Sequence, residues 1–243
     1  MEGESDIPQS TLRRIATGEP GTLSPQSSVL SPEAKRRLGV MGGSFDPVHV
    51  AHLIVAEAVR EALHLDLVLF VPARVQPLKR GQPAAPAEHR VAMVELAIAG
   101  NPAFALSRVE VDRAGPSYSV DTLRRLRREW GDAKNTSMWF IVGTDALAQL
   151  PRWRDPAGVL AQARLAVVRR PGAAVDLEPL AAELPQLEAA LDWVDGPLID
   201  ISATDLRRRV AEGRSIRYRV PEAVREYIEA NGLYRTEIHG TNQ

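Results

Sequence analysis

The 243-residue chain lacks several features that would assign it to a particular class of protein. It has no cysteine, which excludes disulfide bonds and thiolate metal sites. Its formal net charge is −1, so no overall electrostatic attraction favours nucleic acids or membrane surfaces. No apolar run approaches the roughly 20 residues of a membrane-spanning helix. With 44% hydrophobic and 25% charged residues, the composition is typical of a globular domain, and we expect a cytoplasmic protein.

Motifs for two common kinds of chemistry are also missing. The sequence contains no H-E-x-x-H, no cluster of carboxylates and no G-x-S-x-G. We therefore expect neither a metal ion held by protein ligands nor a nucleophilic hydrolase. Arginines at positions 124, 125, 127 and 128 lie on one predicted helix without interleaved aromatic residues, which indicates a solvated helix face rather than a nucleic-acid contact.

The two ends of the chain differ from its middle. Residues 1–36 combine prolines with Ser, Thr and Gly, and they contain no apolar stretch of the about 7–15 residues that a secretory signal needs. We predict a flexible N-terminal tail over residues 1–36, a single domain over 37–236 and a short C-terminal tail over 237–243.

Within the predicted domain, apolar strand patterns alternate with helical patterns, which predicts an α/β fold with a doubly wound parallel sheet. The predicted strands are 38–41, 67–71, 104–111, 138–142, 165–168 and 198–201. The predicted helices are 50–63, 88–99, 119–130, 204–211 and 221–230.

The segment from residue 42 to residue 52 is the most informative part of the sequence. Gly42 and Gly43 follow the first predicted strand, and glycine lets a backbone approach a ligand closely. The helix that follows offers N–H groups and the positive end of its dipole, which suit a phosphate. His49 and His52 are three residues apart and share one face of its first turn. These features predict a phosphate site; the alternative is a structural turn with two incidental histidines.

A second motif follows the last predicted strand. Ser202 and Thr204 are good N-cap residues, so this segment is also explained by helix capping alone. Arg207, however, lies in the first helical turn, where its charge opposes the helix dipole. A bound polyphosphate would remove that conflict, and the carboxyl ends of parallel strands are where such sheets bind ligands.

Weaker candidates follow other predicted strands. Lys79 lies in a Pro/Gly-rich loop after the second strand, where it can reach the same phosphates, with Arg80 beside it. Asp145 after Gly143 has the position of an acidic residue that binds ribose hydroxyls, although it could merely cap a helix. Trp153 lies in a polar setting, where exposing a large apolar surface is costly without a ligand.

These strings resemble, in order and over about residues 36–236, the nucleotidylyltransferase superfamily, which carries H-x-G-H. The longer string G-G-S-F-D-P-V-H-x-x-H resembles the bacterial nicotinate mononucleotide adenylyltransferases, as do I-S-x-T-x-x-R, P-S-Y, G-x-D and R-R-P-G. Ala51 stands where that family normally has glycine, and Leu78 where it commonly has histidine. The resemblance implies a Rossmann-like nucleotidylyltransferase fold.

The resemblance also implies a reaction and a role for each residue. The reaction is transfer of the adenylyl group of ATP to nicotinate mononucleotide, giving deamido-NAD and pyrophosphate. The implied catalytic residues are His49, His52, Lys79 and Arg207. The implied ATP-binding residues are Gly42, Gly43, Ser44, Phe45, Gly143, Asp145, Arg170, Ser202 and Thr204. The implied mononucleotide-binding residues are Ser117, Tyr118, Ser119 and Trp153.

The expected cofactor is Mg²⁺, held mainly by the ATP phosphates and not by protein ligands. The expected partners are ATP and nicotinate mononucleotide, with no nucleic acid and no membrane, and assembly into a homo-oligomer stays open. Two alternatives also stay open. One is another adenylyl- or cytidylyltransferase of the same fold, and the other is a nucleotide sensor that does not catalyse.

Overall fold

The structure is a computed structural model that describes residues 35–75, 85–131, 134–169 and 175–235. These residues contain one sheet of six parallel strands with helices on both faces. The strands are β1 (Arg36–Gly43), β2 (Leu67–Pro72), β3 (Phe104–Leu106), β4 (Thr136–Gly143), β5 (Arg164–Arg169) and β6 (Leu191–Asp195). The helices are α1 (Val50–Ala62), α2 (Ala87–Ile98), α3 (Ser119–Trp130), α4 (Thr144–Ala148), α5 (Pro156–Gln162), α6 (Glu178–Glu183), α7 (Ala203–Ala211) and α8 (Glu222–Ala230).

The order of the strands determines where a ligand can bind. Across the sheet the order is β3-β2-β1-β4-β5-β6, so the direction of winding reverses between β1 and β4. In a doubly wound sheet the crevice at this reversal, outside the carboxyl ends of the strands, is the usual ligand site. Gly43 ends β1 and Gly143 ends β4, which puts both predicted glycine turns at that crevice. The predicted doubly wound α/β fold is confirmed.

Two apolar cores lie on opposite faces of the sheet because the side chains of each central strand alternate between them. In β2, Val68 and Phe70 join one core, whereas Leu69 and Val71 join the other. The first core also takes the buried faces of α1, α2, α7 and α8, and the second takes those of α3 to α6. Helix α8 packs against α2, so the C-terminal part of the described chain lies on the same face as α1.

One predicted strand is wrong, and another was missed. Residues 198–201 form no strand, and Leu198 is 74% exposed. The sixth strand is instead β6, at the edge of the sheet beside β5. Asp192 lies in the middle of β6, which weakens the sequence pattern of a strand. In the structure it is stabilised by an ion pair with Arg164 and by the indole N–H of Trp139.

Other predictions need smaller corrections. Of the predicted strand 104–111, only Phe104–Leu106 pairs with β2, and the remainder forms turns. Helices α4, α5 and α6, each of five to seven residues, were not predicted. The predicted tails over 1–36 and 237–243 lie almost wholly outside the described residues and stay predictions. None of the described helices combines the length and the apolar character needed to cross a bilayer.

Candidate active site at the sheet crevice

The turn between β1 and α1 is shaped by a buried phenylalanine. Phe45 has a φ of 48°, a left-handed conformation that is uncommon outside glycine, and its side chain is fully buried. Its ring lies edge-on to His52 and also contacts Phe70. A Cβ at Gly43 would lie 3.2 Å from this ring, so glycine is needed for the ring to pack there. The buried Phe45 ring therefore packs against His52. Only the backbone of Phe45 can face a ligand.

The two histidines form a stacked pair at the start of α1. Their ring centroids are 3.7 Å apart, with 24° between the ring planes. The backbone N–H of His49 donates to Nδ1 of His52 at 3.2 Å. Because Nδ1 accepts this bond, the proton of a neutral His52 ring resides on Nε2. The predicted pair is thus held as one unit, with one ring fixed in orientation by the backbone of the other.

His49 is the more buried of the two. It is 6% exposed, and burial lowers the pKa of its imidazole to about 4. Its Nδ1 is buried and makes no hydrogen bond to any described residue. A buried polar atom without a partner is uncommon and is frequently found at functional sites. Burial therefore favours the neutral form of the His49 ring, and its Nδ1 is the atom whose hydrogen bonding the described residues leave unexplained.

Arg207 of α7 reaches the same turn from the other end of the domain. Its Nη1 donates to the backbone carbonyl of Asp46 at 2.6 Å and lies 3.6 Å from the Asp46 carboxylate. Its Nη2 contacts Oγ1 of Thr204 at 3.4 Å. The two motifs that the sequence singled out therefore meet in space, because the carboxyl ends of parallel strands share one edge.

The N-terminal part of α7 supports the capping explanation for one of its two hydroxyl residues. Ser202 is the N-cap, and its hydroxyl accepts a hydrogen bond from the N–H of Asp205 at 3.2 Å. The capping alternative is therefore right for this serine. Thr204 is exposed and interacts with Arg207 instead of capping the helix.

The first N–H groups of α1 were predicted to face a phosphate, but two of them donate to carbonyl groups of the protein. The N–H of Val50 donates to the carbonyl of Arg219 at 3.0 Å, and that of His52 donates to the carbonyl of His49 at 2.9 Å. Two of the amide groups expected to face a phosphate are thus paired within the protein. The prediction of a phosphate site therefore depends on the side chains of His49, His52 and Arg207 rather than on these two amides.

Two buried residues that sequence reasoning missed, Asp46 and Arg90, hold this site together with the half-buried Tyr234. Asp46 is 2% exposed, and its Oδ1 accepts from the N–H of Ala85 at 3.0 Å and from the hydroxyl of Tyr234 at 2.7 Å. Arg90 is 4% exposed and donates to the carbonyls of Ser44 at 2.7 Å and Ala73 at 2.6 Å. It also donates to the carbonyl of Ala85 at 3.0 Å. In the sequence they look like ordinary helix and turn residues, because their hydrogen-bond partners are distant in sequence.

Lys79 and Arg80, together with Arg170, lie outside the described residues. The residues on either side of the lysine loop are described, and both sides are tied to the site. Arg90 holds the carbonyls of Ala73 and Ala85, and Asp46 holds the N–H of Ala85. The phosphate-binding role of Lys79 and Arg80 and the ATP-binding role of Arg170 stay predictions.

The turn predicted to bind the mononucleotide, at Ser117, is held by hydrogen bonds to the buried side chain of Glu110. The hydroxyl of Ser117 accepts from the N–H of Arg74 at 3.0 Å and also bonds to Glu110. Glu110 is buried and accepts from the hydroxyl of Thr122 at 2.6 Å. Burial raises the pKa of the Glu110 carboxyl above its ordinary value. The Ser117 side chain is therefore engaged within the protein, which leaves backbone groups and the neighbouring residues to meet a ligand.

Tyr118 and Ser119 begin α3 at this turn. Tyr118 is the N-cap residue, and Ser119 is the first helical residue. The guanidinium of Arg154 lies over the Tyr118 ring, 4.7 Å from its centroid, in a cation–π contact. Arg154 also pairs with the Asp121 carboxylate of α3 at 3.5 Å, so its charge beside the turn predicted for the mononucleotide is partly balanced.

The remaining predicted residues lie at the end of β4. A Cβ at Gly143 would meet no atom within 4 Å, so the backbone there faces open space. Asp145 lies in the first turn of α4 and is exposed. Trp153 is half-buried with its ring edge-on to Phe140 at 5.9 Å. A Cβ at Gly42 would lie 3.4 Å from the same Phe140 ring, so Gly42 and Trp153 both border this side chain.

Comparisons with known proteins bear on the whole domain. A family profile described as "Cytidylyltransferase-like" matches residues 40–209. A protein of Roseiflexus sp. (strain RS-1), named "Probable nicotinate-nucleotide adenylyltransferase", is 54% identical over 198 residues, covering 82% of this chain and 98% of the relative. A protein of Thermomicrobium roseum with the same name is 52% identical over 200 residues, covering 82% and 92%.

A solved structure has the same fold. It is the Plasmodium falciparum nicotinic acid mononucleotide adenylyltransferase complexed with NaAD, and the superposition has a TM-score of 0.66. It covers 82% of this chain and 97% of that chain. At 18% sequence identity this similarity concerns the fold, and it agrees with the strand order described above.

Proposed function

The chain belongs to the nicotinate-nucleotide adenylyltransferases of the cytidylyltransferase-like family, and from this membership we infer its reaction. It transfers the adenylyl group of ATP to nicotinate mononucleotide, giving deamido-NAD and pyrophosphate, a step of NAD biosynthesis. The structural observation that carries this function is the meeting of Arg207 with the turn before His49 and His52, at the crevice of the sheet.

The chemistry needs no covalent intermediate. A phosphate oxygen of the mononucleotide attacks the α-phosphorus of ATP in line, and the bond from that phosphorus to the bridging oxygen breaks. The electron pair of that bond leaves with pyrophosphate, and no proton has to move because the nucleophile is already an anion. The protein therefore has to align two anions and neutralise the charge that develops on the leaving group.

We assign the α- and β-phosphates to the two histidines. The neutral His49 ring and the Nε2–H of His52 can donate hydrogen bonds without drawing a proton from the solvent. Arg207 supplies a permanent positive charge to the polyphosphate, and Lys79 is proposed to do the same from its loop. Ser202, Thr204, Arg170 and the turn from Gly42 to Phe45 are proposed to border the rest of ATP.

Magnesium is proposed to be held by the phosphate oxygens of ATP and by water. Among the described residues no group of three or more His, Cys, Asp or Glu side chains is arranged to hold a metal ion. This donor set fits an ion whose ligands come from the substrate, as is usual for Mg²⁺ at nucleotide sites. When bound there, the ion neutralises charge on the triphosphate.

The mononucleotide is proposed to lie across the crevice beside the end of β4. Trp153 offers a face for the pyridine ring, and Asp145 can accept hydrogen bonds from a ribose hydroxyl. The turn at Tyr118 and Ser119 offers backbone donors, and Arg154, which also pairs with Asp121, lies next to it. This arrangement favours an acceptor that carries a carboxylate over one that carries an amide.

Release of pyrophosphate from ATP and Mg²⁺ tests the function directly. We expect release with nicotinate mononucleotide and much less with nicotinamide mononucleotide or phosphopantetheine. Fast release with phosphopantetheine instead would identify another transferase of the same fold. Tight ATP binding without release for any acceptor would identify a nucleotide sensor and refute the enzymatic function.

A further inference from the structure

Tyr234 links the C-terminal part of the domain to the phosphate site. It follows α8 in a turn, with a φ of 62°, and its hydroxyl donates to Oδ1 of Asp46 at 2.7 Å across 188 positions of sequence. Burial and the neighbouring Asp46 carboxylate raise the pKa of Tyr234 well above its ordinary value, so the phenol stays a donor. A half-buried tyrosine thus bonds directly to a buried carboxylate next to Arg207.

The geometry around Asp46 is unusual for an arginine next to an aspartate. Such pairs normally form two parallel hydrogen bonds between guanidinium and carboxylate, with distances of about 2.7–2.9 Å. Here Arg207 approaches the carboxylate only to 3.6 Å and makes its short bond, 2.6 Å, to the backbone carbonyl. Oδ1 of Asp46 is already occupied by the N–H of Ala85 and the hydroxyl of Tyr234.

We propose that Tyr234 is a positioning residue for Arg207. By occupying Oδ1 of Asp46, its hydroxyl prevents a two-pronged Asp46–Arg207 ion pair, so that the N–H groups of Arg207 that are not bonded to Asp46 can meet the triphosphate. This inference rests on the proposed function of the site, in which Arg207 binds the polyphosphate of ATP. Tyr234 does not touch the substrate itself.

Removal of the hydroxyl alone should show this role. In Tyr234→Phe, Asp46 loses one of its two Oδ1 partners and can turn its carboxylate toward Arg207. The guanidinium is then drawn away from the triphosphate without being lost. We expect the Kd for ATP to rise about fivefold and kcat to fall about tenfold, less than the 10²–10³ expected for removing a transition-state donor altogether. The KM for nicotinate mononucleotide should not change.

The chain offers a matched control in Tyr227. Its hydroxyl lies 2.9 Å from Nδ1 of His89, so it also ties the C-terminal segment to α2 by one phenolic hydrogen bond, but away from Asp46. Tyr227→Phe should lower the melting temperature about as much as Tyr234→Phe while leaving ATP affinity and kcat unchanged. Equal losses of ATP affinity in the two variants would overturn the proposal, because general loosening of this segment would then explain both.

A second arm measures whether Tyr234 acts through Arg207. In an Arg207→Ala background, Tyr234→Phe should cause no further loss of ATP affinity, whereas independent effects would multiply. Multiplying losses would refute the coupling. ATP affinity measured by titration calorimetry requires no acceptor, so this arm tests Tyr234 even if the wild-type protein released no pyrophosphate with nicotinate mononucleotide. That last result would contradict the proposed function instead.

Discussion

Nη1 of Arg207 lies 2.6 Å from the carbonyl oxygen of Asp46, although 161 positions separate the two residues. The contact joins the first turn of α7 to the turn that precedes α1. It brings a permanent cation next to the stacked pair of His49 and His52. The first motif alone is compatible with a structural turn and the second with helix capping, and the contact between them is what favours a polyphosphate site.

Loss of the Arg207 guanidinium should reduce catalysis without unfolding the protein. We expect Arg207→Ala to lower kcat by about 10²–10³, the effect of removing one donor to a developing charge. The control is Arg208→Ala, one residue along α7, whose exposed side chain pairs with Asp205. It should keep wild-type turnover. Comparable turnover in the two variants, in steady-state assays, would contradict the phosphate role of Arg207.

The buried His49 should make the domain less stable in weak acid. Its folded pKa of about 4 lies below the ordinary value of 6.5, so the unfolded chain binds a proton that the folded protein does not. Stability from this group is present above pH 6.5 and is lost as the pH falls toward 4. The loss is on the order of 3 kcal/mol, at about 1.4 kcal/mol per pKa unit.

Denaturant unfolding between pH 7 and 4 measures this effect by comparison of variants. His49→Gln should lose less stability than wild type over that range. His64→Asn should behave like wild type, since His64 is exposed and asparagine tolerates its left-handed backbone. Parallel curves for His49→Gln and wild type would show that the ring is not held neutral by folding.

Glu110 should give the opposite dependence on pH. Because burial raises its folded pKa, the unfolded carboxyl loses its proton first, and stability falls as the pH rises above about 4.5. We expect Glu110→Gln to gain stability relative to wild type from pH 4 to pH 7. Glu88→Gln should show the reverse trend, because the pKa of Glu88 is lowered by its hydrogen bond with Arg108. A trend of the same sign in both variants would contradict the assignment.

The acceptor preference should exceed tenfold in kcat/KM in favour of nicotinate mononucleotide over its amide. A carboxylate accepts charge-assisted hydrogen bonds, whereas an amide leaves donors unpaired at about 1–3 kcal/mol each. Trp153→Ala should weaken both acceptors and keep most of the preference, since both present the same pyridinium ring. Trp193→Ala, at the sheet edge, is the control. Equal kcat/KM for the two acceptors would refute recognition of the carboxylate.

The predicted tails should be dispensable. Deletion of residues 1–30, or of residues 237–243, should leave the melting temperature and turnover nearly unchanged, because their composition offers little to bury. Calorimetry and the pyrophosphate assay would check both deletions. A drop of several degrees in either would mean that the removed segment packs on the domain.

Much of the sheet could be predicted because its central strands are buried on both faces and read as continuous apolar runs. Helix α3 was predicted with its observed bounds, Ser119–Trp130, since its apolar residues recur on one face. Strand β6 could not be predicted, because Asp192 fits a strand only through its contacts with Arg164 and Trp139, far away in sequence.

Contacts between residues distant in sequence also limit what the sequence predicts about the site. His49 and His52 could be placed at the crevice because they follow β1 at its carboxyl end. Arg207 was placed beside them from a predicted strand at 198–201 that does not form, and it reaches the site from the helix after β6. The supporting roles of Asp46, Arg90 and Tyr234 are invisible locally. A buried arginine in α2 has the same pattern as an exposed one until the carbonyls that it binds are known.

The distance in sequence between Asp46 and Tyr234 has a consequence for how the protein is made. During translation the segment with both histidines leaves the ribosome long before Arg207 and Tyr234 are synthesised. A nascent chain with a folded β1–α1 unit lacks Arg207 and Tyr234, so we expect ATP to bind it weakly and to stabilise it little. We therefore expect stabilisation by ATP to begin only after the C-terminal helices have docked, in the complete chain rather than in the growing one.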